Sequence, residues 1–193
     1  MDGIFIEEPK GTLYFGPGLL DLQINGFDGI DFNQFPIQEK SFLKVIGSLA
    51  KTGVTSFFPT IITNSDQAII SLLENINRLC KNNVLINEFV GGIHLEGPFI
   101  SSQEGAKGAH DAQYIKAPDW DLFSTFQMAS GNRIKIVTIS PEWKTATDFI
   151  KKCVQNNIIV AIGHTIATPT QIQQAVDAGA SLSTHLGLSL IHI

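Results

Sequence analysis

The chain has 193 residues, 44% of them hydrophobic and 16% charged, with a formal net charge of −5. That is enough for one domain with a sizeable core, and it excludes the basic stripe that a nucleic-acid groove requires. Cys80 and Cys153 lie far apart with no Cys-x-x-Cys partner, so neither a disulfide framework nor a thiolate zinc site is expected, and a reducing cytoplasm suits the chain better. Residues 1–9 lack the basic lead and long apolar stretch of a signal peptide, and no apolar run approaches the roughly 20 residues that cross a bilayer, so no membrane partner is expected.

A short β-rich run followed by a longer helical segment recurs along the chain. Residues 19–25 read as the first strand. A helix over 39–51 follows, with Phe42, Val45, Ile46 and Leu49 at helical spacing, and Gly53 ends it. Residues 54–60 read as the second strand. Asn64 or Ser65 can cap the next helix, whose apolar side is Ile69, Ile70, Leu72, Leu73, Ile76 and Leu79. The third strand is expected over 89–96, with a long polar loop over 97–118 and a helix over 120–129. A fourth strand over 134–140 is broken by Pro141, and a helix over 145–155 follows. Residues 158–163 read as the fifth strand and 170–178 as a helix. Residues 181–185 begin a sixth strand.

Strands alternating with helices imply right-handed crossovers and a parallel sheet. A doubly wound sheet would carry a Gly-rich phosphate turn after an early strand, and none follows residues 19–25. Polar residues recur instead at the strands' C-terminal ends, where a (β/α)₈ barrel carries its chemistry. The expected fold is therefore α/β, a partial (β/α)₈ TIM barrel. About six of its eight strands are present where a barrel typically takes about 250 residues, so the chain reads as incomplete. The expected organisation is a short segment at 1–17, a partial barrel over 18–187, and a tail at 188–193.

The strongest chemical pattern is spread over three strand ends, His94-Leu95-Glu96-Gly97-Pro98, Gly163-His164-Thr165 and Thr184-His185-Leu186. In a barrel these ends meet at one mouth, so Glu96, His164 and His185 could converge, and two imidazoles with one carboxylate make a hydrolytic zinc site. Spacing alone leaves this reading level with that of separately hydrogen-bonded core histidines. His94 shares a strand face with Glu96 and reads as a fourth ligand or, preferably, as an interior residue bonded to the barrel wall. His110, in the Gly-rich loop after the third strand, reads as solvated or as a substrate contact. Gln23 and Asn25 share a face of the first strand, and their neutral amides are poor zinc ligands, which argues against a second metal there.

Several segments resemble the N-acetylglucosamine-6-phosphate deacetylases of the metal-dependent amidohydrolase superfamily. They include Pro17-Gly18-Leu19-Leu20-Asp21-Leu22-Gln23-Ile24-Asn25-Gly26, Gly53-Val54-Thr55-Ser56-Phe57-Phe58-Pro59-Thr60 and His94-Leu95-Glu96-Gly97-Pro98-Phe99. Gly108-Ala109-His110, Val137-Thr138-Ile139-Ser140-Pro141-Glu142, Gly163-His164-Thr165 and Thr184-His185-Leu186 extend the match in order. The resemblance implies a barrel with a small β-sandwich built from both chain termini, of which 1–17 would be a remnant. It implies one divalent metal ion, zinc by expectation, held by Glu96, His164 and His185, with Ala109 and His110 at sugar-binding positions. The implied reaction is hydrolysis of the acetamide of N-acetylglucosamine 6-phosphate in amino-sugar catabolism. The implied partner is that small amino-sugar phosphate, with a homodimer entertained for the full-length form. After Leu186 the family's pattern lapses: residues 188–193, with His192, read as a translated adapter, and the family's proton-transfer Asp is expected beyond the chain end. The fragment alone is accordingly expected to be inactive. The alternatives are another mononuclear-metal amidohydrolase, which a His-x-His first strand would mark, or a non-catalytic fragment.

Overall fold

The computed structural model describes residues 16–186. Most of the expected segment at 1–17, the expected tail at 188–193 and His192 lie outside the described residues. Six strands form one all-parallel sheet: β1 (Leu19–Ile24), β4 (Val54–Ile62), β5 (Ile93–Glu96), β6 (Ile134–Ile139), β7 (Ile159–Ile162) and β8 (Leu182–Ser183). They are hydrogen-bonded in chain order, β1-β4-β5-β6-β7-β8. A doubly wound sheet reverses its strand order part-way, and this one never does; it curls into a half-barrel, as the βα rhythm implied.

The helices form where capping and periodicity agree. In α2 (Asp66–Asn82) the Ser65 hydroxyl accepts from the Ala68 N–H, and the buried stripe is Ile69, Leu72, Leu73, Ile76, Leu79 and Cys80. α6 (Pro169–Asp177) starts with a capping box between Thr168 and Gln171 and places Pro169 in its first turn. α1 (Glu39–Ala50), α4 (Trp120–Ala129) and α5 (Ala146–Gln155) fill the remaining crossovers close to their expected bounds.

Three details differ from the sequence reading. A hairpin, β2 (Gly26–Phe27) with β3 (Ile30–Asp31), follows β1. Its two-residue turn is Asp28-Gly29, both at positive φ, the Asp-Gly signature of a type I′ turn. The third expected strand begins late: Asn83 caps a short helix α3 (Val84–Phe89) by accepting from the Ile86 N–H, and β5 starts only at Ile93. The sixth strand ends early, because His185 takes φ 59° and leaves the extended conformation.

The main core lies between the sheet's outer face and the helices, and a smaller cluster of Phe58, Ile136 and Ala161, joined by Leu182, occupies the opposite face. One knot of the main core is aromatic. Phe32, Phe42 and Phe57 are fully buried with ring centroids 5.1–6.0 Å apart, joining the hairpin, α1 and β4. Truncation of Phe57 to Ala is expected to cost about 3–5 kcal/mol of stability. Urea unfolding followed by circular dichroism checks this, and an unchanged midpoint would show that the knot does not hold these elements together.

Candidate metal centre

Glu96 is the last residue of β5, and His164 and His185 each follow the end of a strand, β7 and β8. The parallel register sends these ends to one side of the sheet. There the three side chains meet: one ligand atom from each lies within 4.8 Å of the other two. One oxygen of Glu96, Oε1, is 3.1 Å from His164 Nε2 and 2.8 Å from His185 Nε2, and the two imidazoles stand edge to face with centroids 5.2 Å apart. Both histidines have left-handed backbones, φ 48° and 59°. That conformation costs a non-glycine residue of order 1–3 kcal/mol and persists where surrounding structure enforces it. It turns each chain sharply off its strand and brings the ring to the shared centre.

The electrostatics follow from burial and pairing. Burial by itself raises the pKa of Glu96, but the His164 hydrogen bond and the nearby charges of His185, His164 and His110 outweigh it and hold the carboxyl at about 2. Burial alone would lower His164, yet its bond to Glu96, the carboxylate charge and the carbonyls of Ala106 and Lys107 leave it raised. His164 Nδ1 donates to the Ala106 carbonyl at 3.0 Å, which directs Nε2 to the centre. An outer partner of this kind fixes both tautomer and ring orientation in metal-ligating histidines. A carboxylate oxygen and two imidazole nitrogens form a borderline donor set suited to zinc.

His94 stands apart from this trio. Its Nδ1 bonds the Leu22 carbonyl at 3.1 Å and its Nε2 the Thr138 hydroxyl at 2.7 Å, and burial lowers its pKa. The neutral ring therefore donates from Nδ1 and accepts at Nε2 from Thr138, whose oxygen in turn accepts from the Thr184 hydroxyl at 2.7 Å. The chain Thr184–Thr138–His94–Leu22 links the end of β8 to β6, β5 and β1, which is the wall-bonding role preferred over a ligand role in the sequence reading. It passes over β7 because Gly163 has no side chain: a Cβ there would sit 2.7 Å from Thr184 Cβ and 2.9 Å from Thr138 Cγ2.

His110 is buried, against the solvated reading of a loop histidine. Its Nδ1 lies 2.8 Å from the Thr63 hydroxyl, its ring stands edge-on to His164 at 4.5 Å, and burial, then the His164 charge, push its pKa down to about 4. Ala109 is exposed beside it. The loop that carries both is anchored at its start by the fully buried Phe99 and Ile100 and towards its end by a Lys116–Asp66 ion pair at 2.6 Å, while most of residues 102–113 are exposed and His110 is the residue there that turns inward. Ile24 is buried in the helix-side core; beside it Gln23 is half-buried at an irregular point in the β1 pairing and Asn25, just past the strand, is exposed. Thr63, Thr138, Thr184 and Glu142 were not singled out as site residues from the sequence. Two signals were available: all four lie at or near the C-terminal ends of apolar strand runs, where barrels place polar groups, and Thr138, Glu142 and Thr184 fall in segments that carry the family resemblance.

No family model matches the chain. An N-acetylglucosamine-6-phosphate deacetylase of Lysinibacillus sphaericus is 34% identical over 174 residues, covering 88% of this chain and 43% of that protein. Its counterpart from Bacillus subtilis is 35% identical over 186 residues, covering 94% of this chain and 45% of that protein. A solved N-acetyl-D-glucosamine-6-phosphate deacetylase from Mycobacterium smegmatis, a mutant in complex with N-acetyl-D-glucosamine-6-phosphate, superposes with a TM-score of 0.79 at 27% identity, covering 89% of this chain and 42% of that one. The chain thus spans less than half the length of the relatives it matches.

Two outcomes are expected from this geometry. Replacing Glu96 or His164 by Ala should weaken zinc binding by more than the roughly 10–100-fold that loss of an outer partner costs; equilibrium dialysis showing unchanged affinity would remove the trio as a metal centre. Gly163→Ala should lower the thermal midpoint by parting Thr138 from Thr184, and an unaltered melting curve would show that the added methyl is accommodated without breaking that link.

Proposed function

We propose that the protein to which this chain contributes hydrolyses the acetamide of N-acetylglucosamine 6-phosphate, releasing acetate and glucosamine 6-phosphate in amino-sugar catabolism. The observation that carries this reading is the convergence of Glu96, His164 and His185 on one point, in a chain similar over 88–94% of its own length to deacetylases of that substrate. Residues 18–187 would form part of the amidohydrolase barrel, and the free, buried Cys80 and Cys153 suit a reducing cytoplasm.

A single divalent cation, zinc by the donor set, would be held by Glu96, His164 and His185. When bound, it supplies a Lewis acid that polarises a carbonyl oxygen and lowers the pKa of water. The chain's own residues prepare the site around it. Glu96 is ionised across the physiological range, since its pKa is held near 2, so it offers a charged oxygen without first losing a proton. Ala106 orients the His164 ring. His110 is neutral at pH 7, with Nδ1 engaged by Thr63, which leaves Nε2 to meet a polar group of the sugar. Ala109, exposed in the same loop, lies where the sugar ring would approach. The buried Phe99 and Ile100 anchor the start of that loop, and Phe99 packs against Phe149 of α5. The proton-transfer Asp of the resembling family is not assigned to any described residue.

Acetate release from N-acetylglucosamine 6-phosphate by the complete protein tests the proposal. Activity should disappear with a chelator, return with zinc, and fall at least about 10²-fold in His185→Ala. Intact zinc binding without any acetate release would overturn the proposed reaction.

A further inference from the structure

The carboxylate of Glu142 lies outside the three converging ligands, yet three chain segments end on it. Its Oε1 accepts from the Ser101 hydroxyl at 2.7 Å, in the segment after β5. Its Oε2 accepts from the Ile166 N–H at 3.0 Å and from the Thr165 hydroxyl at 3.3 Å, both after β7. Glu142 itself follows β6, and the Ser140 and Thr165 hydroxyls are 2.8 Å apart beneath it. Ser101 and Ser140 are fully buried. A carboxylate that accepts from several fixed donors binds more strongly than a neutral acceptor, because each hydrogen bond is charge-assisted.

These contacts close around His164. The Ser101 N–H donates to the His164 carbonyl at 2.9 Å, while the Ser101 side chain holds Glu142. Glu142 in turn holds Thr165 and Ile166, the two residues that follow His164. The backbone of His164 is thereby gripped on its carbonyl and on its C-terminal side, and this is the residue with φ 48°. Relaxation of that dihedral would swing the imidazole away from Glu96.

We propose that Glu142 is a positioning residue for the metal centre: by joining the loops after β5, β6 and β7 it holds the left-handed backbone of His164 and so aims its ring. This rests on reading His164 as a ligand. The nearest precedent in physical terms is the outer partner of a metal ligand, whose loss costs about 10–100-fold in affinity. Here the brace acts on the ligand's main chain, while Ala106 acts on its ring.

Cobalt(II) titration of the full chain, read by its visible ligand-field absorption, tests the assignment. Glu142→Gln keeps the shape but can accept at only one of the two positions, and it should bind Co²⁺ about tenfold or more weakly, with shifted absorption bands. Ser101→Ala removes one arm and should shift the same bands to a smaller extent; because it leaves the Thr165 and Ile166 bonds in place, it decides the matter if Glu142→Gln does not fold. A protein merely loosened by the substitution would melt earlier but show unshifted bands once saturated with Co²⁺, and that result would overturn the proposal. If Co²⁺ binding is lost in His164→Ala yet unchanged in both Glu142→Gln and Ser101→Ala, the brace is refuted while the ligand reading stands. If His164→Ala itself binds Co²⁺ normally, the ligand reading fails and the brace falls with it.

Discussion

A carboxylate that is only 2% exposed is expensive to bury unless partners replace the water it loses. Glu96 meets this condition by placing one oxygen between His164 and His185. In a flat sheet β5 and β7 would be about 9–10 Å apart and β5 and β8 about 14 Å, given the ~4.8 Å spacing of neighbouring strands. Side chains alone span that distance poorly. The meeting of the three groups therefore depends on the curl of the sheet, which tips the ends of β5, β7 and β8 towards a common axis.

Two hydrogen-bonded belts maintain that arrangement. The inner belt runs from Thr184 through Thr138 and His94 to the Leu22 carbonyl and crosses four of the six strands. Its members are neutral, so it satisfies buried polar groups without adding charge beneath Glu96. The outer belt centres on Glu142 and gathers the loops above the sheet. Between them lies Gly163, whose missing side chain admits the inner belt and whose next residue is held by the outer one. The centre thus sits between a layer that fixes strand spacing and a layer that fixes loop backbone.

The fold was legible in sequence where local signals were redundant. α2 had a cap and an apolar stripe, and it formed directly after Ser65 with that stripe buried except for Ile70. The short elements were less legible. Asp28-Gly29 carried a hairpin signature, but the strands it joins are two residues each, too brief for alternation to register. Val84–Phe89 has the apolar content of a strand, and only the side-chain cap from Asn83 and the packing of Ile86 decide for helix. Histidines divided in the same way. His94 and Glu96 share a strand face and could not be separated by spacing, yet the partners Leu22 and Thr138, 72 and 44 residues away, occupy both nitrogens of His94.

What the sequence by itself determined was the alternation of strands and helices, the absence of a phosphate turn, and the placing of Glu96, His164 and His185 at strand ends. These are local properties, written in periodicity and in the residues that begin and end each run. Tertiary structure alone decided that the three ends converge, that the loop carrying His110 folds inward against Thr63, and that Glu142 becomes the meeting point of three segments. The reason is physical: convergence depends on sheet curvature and on hydrogen bonds between residues 23 to 68 positions apart, and no local pattern encodes which distant partner will satisfy a buried donor or charge.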